Sequence, residues 1–437
     1  MSAVLATLTV RNFRRYLLGQ LTSNVGTWMQ RAAQDLLVLH ITGNSGGAVG
    51  IVTALQFLPQ TLFGLTGGVL ADRFPKRRLL LLTQTAMGAQ SLLLGVLTVT
   101  GALNLLSVYA LAFALGTATA VDSPARNAFV CELVDRERVA TAVSLNSAQF
   151  NVARILGPAL AGLSVAAFGA GPVFLLNAVS YLAVLYGLIT IRTHEPGDLG
   201  RSSPDPTTRL RDAFRDIAAT PELLLPISVI GFVGTFGLNF QVTISLVAIT
   251  VFHSGAAAFG YLSAAYALGS LVGALYGASR GKPPTARRLI TTTVVFGALE
   301  AALGLMPDYG TFMALLIPTG FAAVIVTTTA NALTQLHADP RLRGRVISVY
   351  FLVLLGGTPI GAPLVGLVSD TLGARSSLIL AGAVSATSAL AVSALSTARI
   401  RRLTRITEPV SQAGSPLTGD PGTPVSAQPA RHRQADL

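Results

Sequence analysis

A chain of 437 residues with 51% hydrophobic and only 11% charged residues is not an ordinary soluble domain, in which about 25% of residues are charged. Its net charge of +12 would suit a nucleic-acid binder, but 28 of the 31 Lys and Arg fall in segments or tails read as cytoplasmic, with Arg31 and Arg154 inside spans and Arg375 in an outer loop. That distribution is the positive-inside pattern of a membrane protein and excludes a nucleic-acid patch. A single cysteine, Cys131, excludes an internal disulfide.

Residues 1–14 read as a short basic arm. Twelve apolar spans follow, at about 15–39, 48–70, 79–99, 104–124, 139–167, 171–191, 222–251, 257–279, 287–306, 310–333, 345–369 and 376–397. Each is near the ~20 residues that cross hydrocarbon as a helix. Connections on one side are short and almost uncharged, as in Thr42-Gly43-Asn44-Ser45-Gly46 and Gly169-Ala170-Gly171-Pro172. Even parity, with basic segments at both ends, puts both termini in the cytoplasm of a multi-pass inner-membrane protein.

The first span carries Asn24, Thr27, Gln30, Arg31, Gln34 and Asp35. Asn24, Thr27, Arg31 and Asp35 recur at helical spacing, so they share one face, and such a face cannot point at lipid. It either lines a transport cavity, with Asp35 as a protonatable switch tuned by Arg31, or holds a neutral ion pair that fixes helix packing. Arg31 and Asp35 are one turn apart and are spaced to pair.

Spans two and three are joined by Gly67-Gly68-Val69-Leu70-Ala71-Asp72-Arg73-Phe74-Pro75-Lys76-Arg77-Arg78. So short a link makes an antiparallel hairpin whose bases sit at the cytoplasmic surface. Asp122 and Arg126, in Asp122-Ser123-Pro124-Ala125-Arg126, end span four at the spacing of a pair. In span five, Arg154 sits one turn before Gly157-Pro158; a buried guanidinium there needs a carboxylate, with Asp35 one candidate, or an anionic substrate. Glu300 in span nine reads as structural. Between spans six and seven, residues 192–221 form a linker, and Thr207 to Ala219 suit a short amphipathic helix with Leu210, Phe214 and Ile217 toward lipid. From Ile406 onward the composition is that of a disordered tail.

A constant offset pairs Asn127-Ala128 with Asn331-Ala332, Gly116 with Gly320, Ser144 with Ser348, Gly157 with Gly361, Gly162 with Gly366 and Gly169-Ala170 with Gly373-Ala374. The chain therefore reads as two related halves. The expected fold is an all-α integral membrane protein of twelve transmembrane helices in two six-helix lobes, 1–191 and 222–405, with the linker 192–221 and the tail 406–437 cytoplasmic.

The basic loop resembles the signature loop of the major facilitator superfamily, Gly-x-x-x-Asp-Arg-x-Gly-Arg-Arg. Gly68, Asp72, Arg73, Lys76 and Arg77 stand at its positions, while Pro75 replaces a glycine. The text from Asn12-Phe13-Arg14 to Gly157-Pro158 resembles the drug and metabolite efflux branch that includes enterobactin exporters and macrolide efflux proteins. Ser144, Ala153, Gly157, Pro158, Ala161 and Gly162 resemble the antiporter motif Gly-x8-Gly-x3-Gly-Pro-x2-Gly-Gly, with small residues where glycine is usual. These resemblances imply an exporter of a drug-like or secreted metabolite, working by alternating access and proton antiport. They make Asn24, Gln30, Arg31, Gln34, Asp35 and Arg154 cavity or coupling candidates. Gly68, Asp72, Arg73, Lys76, Arg77, Asp122 and Arg126 become cytoplasmic gate candidates. In the gate, Asp72 would meet the first turn of span eleven near Gly344-Arg345-Val346, with Arg73, Arg126 or Arg343 as ionic partners.

One departure matters: span four lacks the arginine through which many proton-coupled members work. Five scattered histidines give no metal spacing, and the absence of a phosphate-binding Gly-Lys-Ser/Thr loop argues against ATP. No cofactor is expected beyond a proton gradient. The expected partners are a small-molecule substrate and the bilayer, with the protein acting as a monomer rather than as an enzyme. An importer of a small nutrient, or a transport-inactive sensor or assembly factor, remain the alternatives.

Overall fold

The computed structural model describes residues 3–191, 210–279, 283–339 and 341–407, and every regular element among them is helical. In the first half these are α1 (Ala3–Leu8), α2 (Arg11–Ile41), α3 (Gly46–Arg73), α4 (Lys76–Val99), α5 (Leu105–Glu132), α6 (Val139–Phe168) and α7 (Ala170–Thr190). The second half holds α8 (Leu210–Ala219), α9 (Pro221–Phe232), α10 (Phe240–Leu246), α11 (Ala256–Ser279) and α12 (Ala286–Leu303). It continues with α13 (Tyr309–His337), α14 (Arg343–Gly356), α15 (Thr358–Leu372) and α16 (Ala374–Thr407). Linker residues 192–209 and tail residues 408–437 lie outside the described residues.

Ten helical runs among the described residues are long and apolar enough to cross a membrane. The expected first and ninth spans are not among them, and their sequences say why. The polar face of α2 lowers its hydropathy although its 31 residues reach about 46 Å at 1.5 Å per residue. α12 has 18 residues and opens with Arg287 and Arg288.

Helix starts follow capping chemistry, in which a side-chain oxygen accepts from a free N–H of the first turn. Ser45 takes the Ala48 N–H at 3.2 Å, Asn104 the Ser107 N–H at 2.8 Å, and Asp308 the Thr311 N–H at 2.9 Å. Asp308 lies at an exposed helix start, and these bonds hold its carboxyl below the usual aspartate range. At the matching helix ends after α6 and α15, Gly169 and Gly373 adopt φ of 81° and 89°, a region that disfavours a side chain. The sequence repeat is thus a repeat of backbone conformation at these two corners.

Three expectations need correction. Span seven is not one continuous helix: after α9 the chain widens at Val233–Gly237, where the Leu238 N–H reaches the Val233 carbonyl at 2.9 Å, and again at Val247–Val251. Span eleven is made of α14 and α15 with Gly357 between them, still helical at φ −69° and ψ −34°. The fourth helix does not end at Asp122 but runs to Glu132, because Pro124 is tolerated inside it. In the amphipathic segment, Ile217 of α8 does not face lipid; it is buried against Leu223, Val346 and Val349. Residues 207–209 of that segment are outside the described residues.

Two ends of the bundle can be told apart by charge. The end carrying Arg11, Lys76 to Arg78, Arg136 and Arg343 is called the basic end, and the opposite one the far end. At the far end one apolar cluster joins the halves, from Leu36, Val49 and Ala161 to Leu246, Phe259 and Leu378. Backbones meet there at small residues: a Cβ on Gly50 would strike Ala362 and Pro363, and one on Gly162 would strike Gly260, the close approach that small residues permit between membrane helices. Toward the basic end separate clusters form, around Phe13, Tyr16 and Phe129 in the first half and around Ile217, Leu223 and Val346 in the second.

Candidate transport site and its two ends

The polar face of α2 is buried along its whole length: Asn24, Thr27, Gln30, Arg31, Gln34 and Asp35 all lie below one-tenth exposure. A buried polar group needs a hydrogen-bond partner, and most of these find one within the first half. Gln30 donates to Gln90 at 2.9 Å and accepts from Asn177 at 2.7 Å. Gln34 accepts from Gln56 at 3.1 Å and donates to the Val108 carbonyl at 3.3 Å. The Thr27 and Tyr181 hydroxyls share a bond of 2.8 Å. Gln30 and Gln34 are therefore placed in the seams between helices.

Asp122 and Arg126 do pair, at 3.0 Å, but inside the first half rather than across the basic end. Asp122 is fully buried and also accepts from Thr83 at 2.9 Å and Gln84 at 2.7 Å. Arg126 donates to Asn24 at 3.0 Å, and Asn24 donates to Gln149 of α6 at 3.0 Å. The pair ties α2, α4, α5 and α6 together.

Arg31 and Asp35 do not pair. Asp35 accepts from Gln241 of α10 at 2.6 Å, a contact between the two halves on the residue just beyond the widened turn of span seven. Arg31 instead lies against ring faces, 4.9 Å from the Trp28 centroid and 4.5 Å from that of Phe57. Arg154 does not meet Asp35 either. It is exposed, on a polar stripe of α6 with Ser144, Ser147 and Asn151, within electrostatic range of Tyr266 and Tyr350 of the second half. Gly157 packs on Trp28, Gly162 on Gly260, and Pro158 stays within α6. Glu300 is buried beside Gly237.

The two ends differ. At the far end Asp370, closing α15, accepts from the Gly46 N–H at 2.6 Å, the Gly47 N–H at 2.8 Å and the Ser45 hydroxyl at 3.2 Å. A carboxylate from one half thus caps the first turn of α3 in the other, the favoured sign for a helix N-terminus. At the basic end Asp72 and Arg73 are exposed, and Asp72 makes no hydrogen bond or ion pair among the described residues. A Cβ on Gly68 or Gly344 would meet nothing within 4 Å. Lys76 binds Glu132 at 2.8 Å, and Arg77 donates to the Leu188 and Ile189 carbonyls at 2.8 and 2.9 Å. Both bases hold the loop to its own half.

Sequence reasoning missed Gln241, Phe57 and Asp370. The first two carry no local signal, since their roles depend on which helix lies opposite. Asp370 did have one: Gly366-x-x-x-Asp370 repeats the spacing of Gly68-x-x-x-Asp72.

Long apolar helical runs packed around a buried polar face make a multi-span membrane protein. Solved structures share the fold. A bacterial homolog of the human lysosomal transporter Spinster, inward-facing and unoccupied, matches with a TM-score of 0.69 at 15% identity over 90% of this chain and 98% of that one. A POT family transporter in complex with a thioalcohol-conjugated peptide matches with a TM-score of 0.71 at 13% identity over 91% and 97%.

The chain belongs to the transmembrane secretion effector family of the major facilitator superfamily, whose family model matches residues 2–413. Among its relatives, the staphyloferrin A transporter of Staphylococcus aureus is 25% identical over 80% of this chain and 87% of the relative. The enterobactin exporter EntS of Citrobacter koseri is 26% identical over 76% and 78%. Macrolide efflux protein A of Streptococcus pyogenes is 21% identical over 80% and 88%.

Proposed function

We propose that this protein exports a drug-like or secreted metabolite across the bacterial inner membrane by alternating access, in exchange for protons. The family and the relatives named as exporters support the direction. In this reading α2 and α12 complete a set of twelve spans, grouped as six-helix lobes 1–191 and 222–405 joined by the linker 192–221, with 406–437 as a tail. The basic end is cytoplasmic, as are both termini, and the molecule works as a monomer. The structure then corresponds to the inward-open state.

The contact that carries the coupling is the one between Asp35 and Gln241. A fully buried carboxylate is strongly disfavoured unless it is paired or neutral, and the side chain that donates to this one within 3.5 Å among the described residues, Gln241, is on the opposite lobe. Protonation removes the charge that Gln241 stabilises and so changes how the lobes hold together at the far end. Asp370 on the first turn of α3 closes the outer side. When the lobes rock, Asp370 releases, and Asp72 meets the first turn of α14 to close the inner side. Gly68, Asp72 and Arg73 form the inner gate, while Lys76, Arg77, Asp122 and Arg126 keep its first-half elements rigid. The proton gradient is the energy source, with no cofactor.

The test is gradient-driven efflux in membrane vesicles. Asp35→Asn inserts normally and loses proton-driven flux; flux equal to wild type in that variant removes Asp35 from the coupling.

A further inference from the structure

We infer that Arg31 is the recognition point for a carboxylate on the transported molecule, so that the preferred substrates are organic acids with an apolar body. The inference rests on the transporter reading above and names the substrate class of the same interior site.

Arg31 is 4% exposed, yet its guanidinium has no hydrogen bond or ion pair among the described residues. Its Nε is buried with no partner. What it does have is ring surface: Trp28 and Phe57 lie against it. Such contacts use the flat faces of the guanidinium and leave its in-plane donors free. Neither nearby acid forms an ion pair with it among the described residues. Asp35 is held by Gln241, and Asp122 by Arg126, Thr83 and Gln84.

An ionised guanidinium in a low-dielectric interior calls for an anion. Asp35 acts on Arg31 electrostatically without touching it, no acid among the described residues forms an ion pair with it, and the planar fork of Arg matches the two oxygens of a carboxylate. Aromatic and cationic groups continue from this point. Phe150 lies edge-on to Trp28 at 5.9 Å, and Arg126 sits 5.9 Å from the Phe150 centroid. Phe150 is 38% exposed, and Arg154, one turn further along α6, is exposed. The series Arg126, Phe150, Trp28, Arg31, Phe57 sets two arginines among three aromatic rings, which suits an acid carrying a hydrophobic body. A cationic substrate would have to pass these arginines to reach Asp35, whose second oxygen has no partner.

Trp28 is the only tryptophan of the chain, so its emission reports this site directly. The full-length protein in lipid nanodiscs is titrated with phenylbutyrate, phenylbutyramide and phenylbutylamine, three molecules of similar shape and different charge. The acid is expected to change Trp28 emission saturably, at least about tenfold more tightly than the amide or the amine, a difference of about 1.4 kcal/mol. Arg31→Gln is expected to abolish that preference, and Arg31→Lys to restore part of it. Equal binding of all three by wild type, or tighter binding of the amine, overturns the inference, and this arm needs no variant to fold. The same compounds are followed in vesicle flux. Gradient-driven flux of the amine but not the acid sinks the acid preference and leaves the exporter standing. No protein-dependent flux of any metabolite or drug tried sinks the exporter reading itself.

Discussion

Asp370→Ala removes the carboxylate that caps α3 across the closed far end. It deletes three hydrogen bonds, of 2.6, 2.8 and 3.2 Å. Bonds to a charged group are worth ~1.5–3 kcal/mol each when buried, and the helix N-terminus adds ~0.3–1 kcal/mol. Asp370 is exposed while Ser45 and Gly47 are half-buried, so water replaces part of what is lost, and the whole clamp is worth a net of about 2 kcal/mol. If the clamp forms only in this state, that change moves the balance toward the outward-open form about thirtyfold. Spin labels at Leu106→Cys and Leu305→Cys, both exposed at the far end, in a Cys131→Ala background, read the opening by electron–electron dipolar distance. Wild type should give one short distance and Asp370→Ala an added longer one. An unchanged distribution refutes the clamp, because no other described contact between the halves at the far end involves a charged side chain except that of Asp35.

Other substitutions test other parts. Arg126→Ala leaves Asp122 buried with only Thr83 and Gln84, and should cost about 3 kcal/mol, seen as a lower melting temperature in detergent; a change under one degree would argue against the pair as a tie. Gly50→Leu drives a side chain into the Ala362 backbone and should open the far end or prevent folding, whereas wild-type distances and stability would contradict the seam. Asp72→Ala should leave the present state intact but deplete the inner-closed one, raising labelling of an introduced cysteine at Ser348; unchanged labelling under turnover conditions would dismiss the inner lock.

The sequence made the bundle legible because hydrocarbon imposes length and apolarity on every span, and the corners Gly169 and Gly373 repeat as the offset foretold. The buried face of α2 was also legible, since helical spacing collects Asn24, Thr27, Arg31 and Asp35. What it did not reveal was partnership. Arg31 and Asp35 stand one turn apart, yet Asp35 binds Gln241, more than two hundred residues away, and Arg31 turns to Trp28 and Phe57. Asp122 and Arg126 were rightly spaced to pair, but the helix continues past them and buries the pair in one half. The widened turns of span seven were hidden as well, because hydropathy carries no record of them.

The account stands most directly on energised efflux. Cells with and without the protein are compared for retained metabolites and drugs, with and without an uncoupler. Lower retention only when the protein is present, abolished by the uncoupler, is the predicted result. Equal retention in the two strains, or a difference that survives collapse of the proton gradient, would contradict proton-driven export.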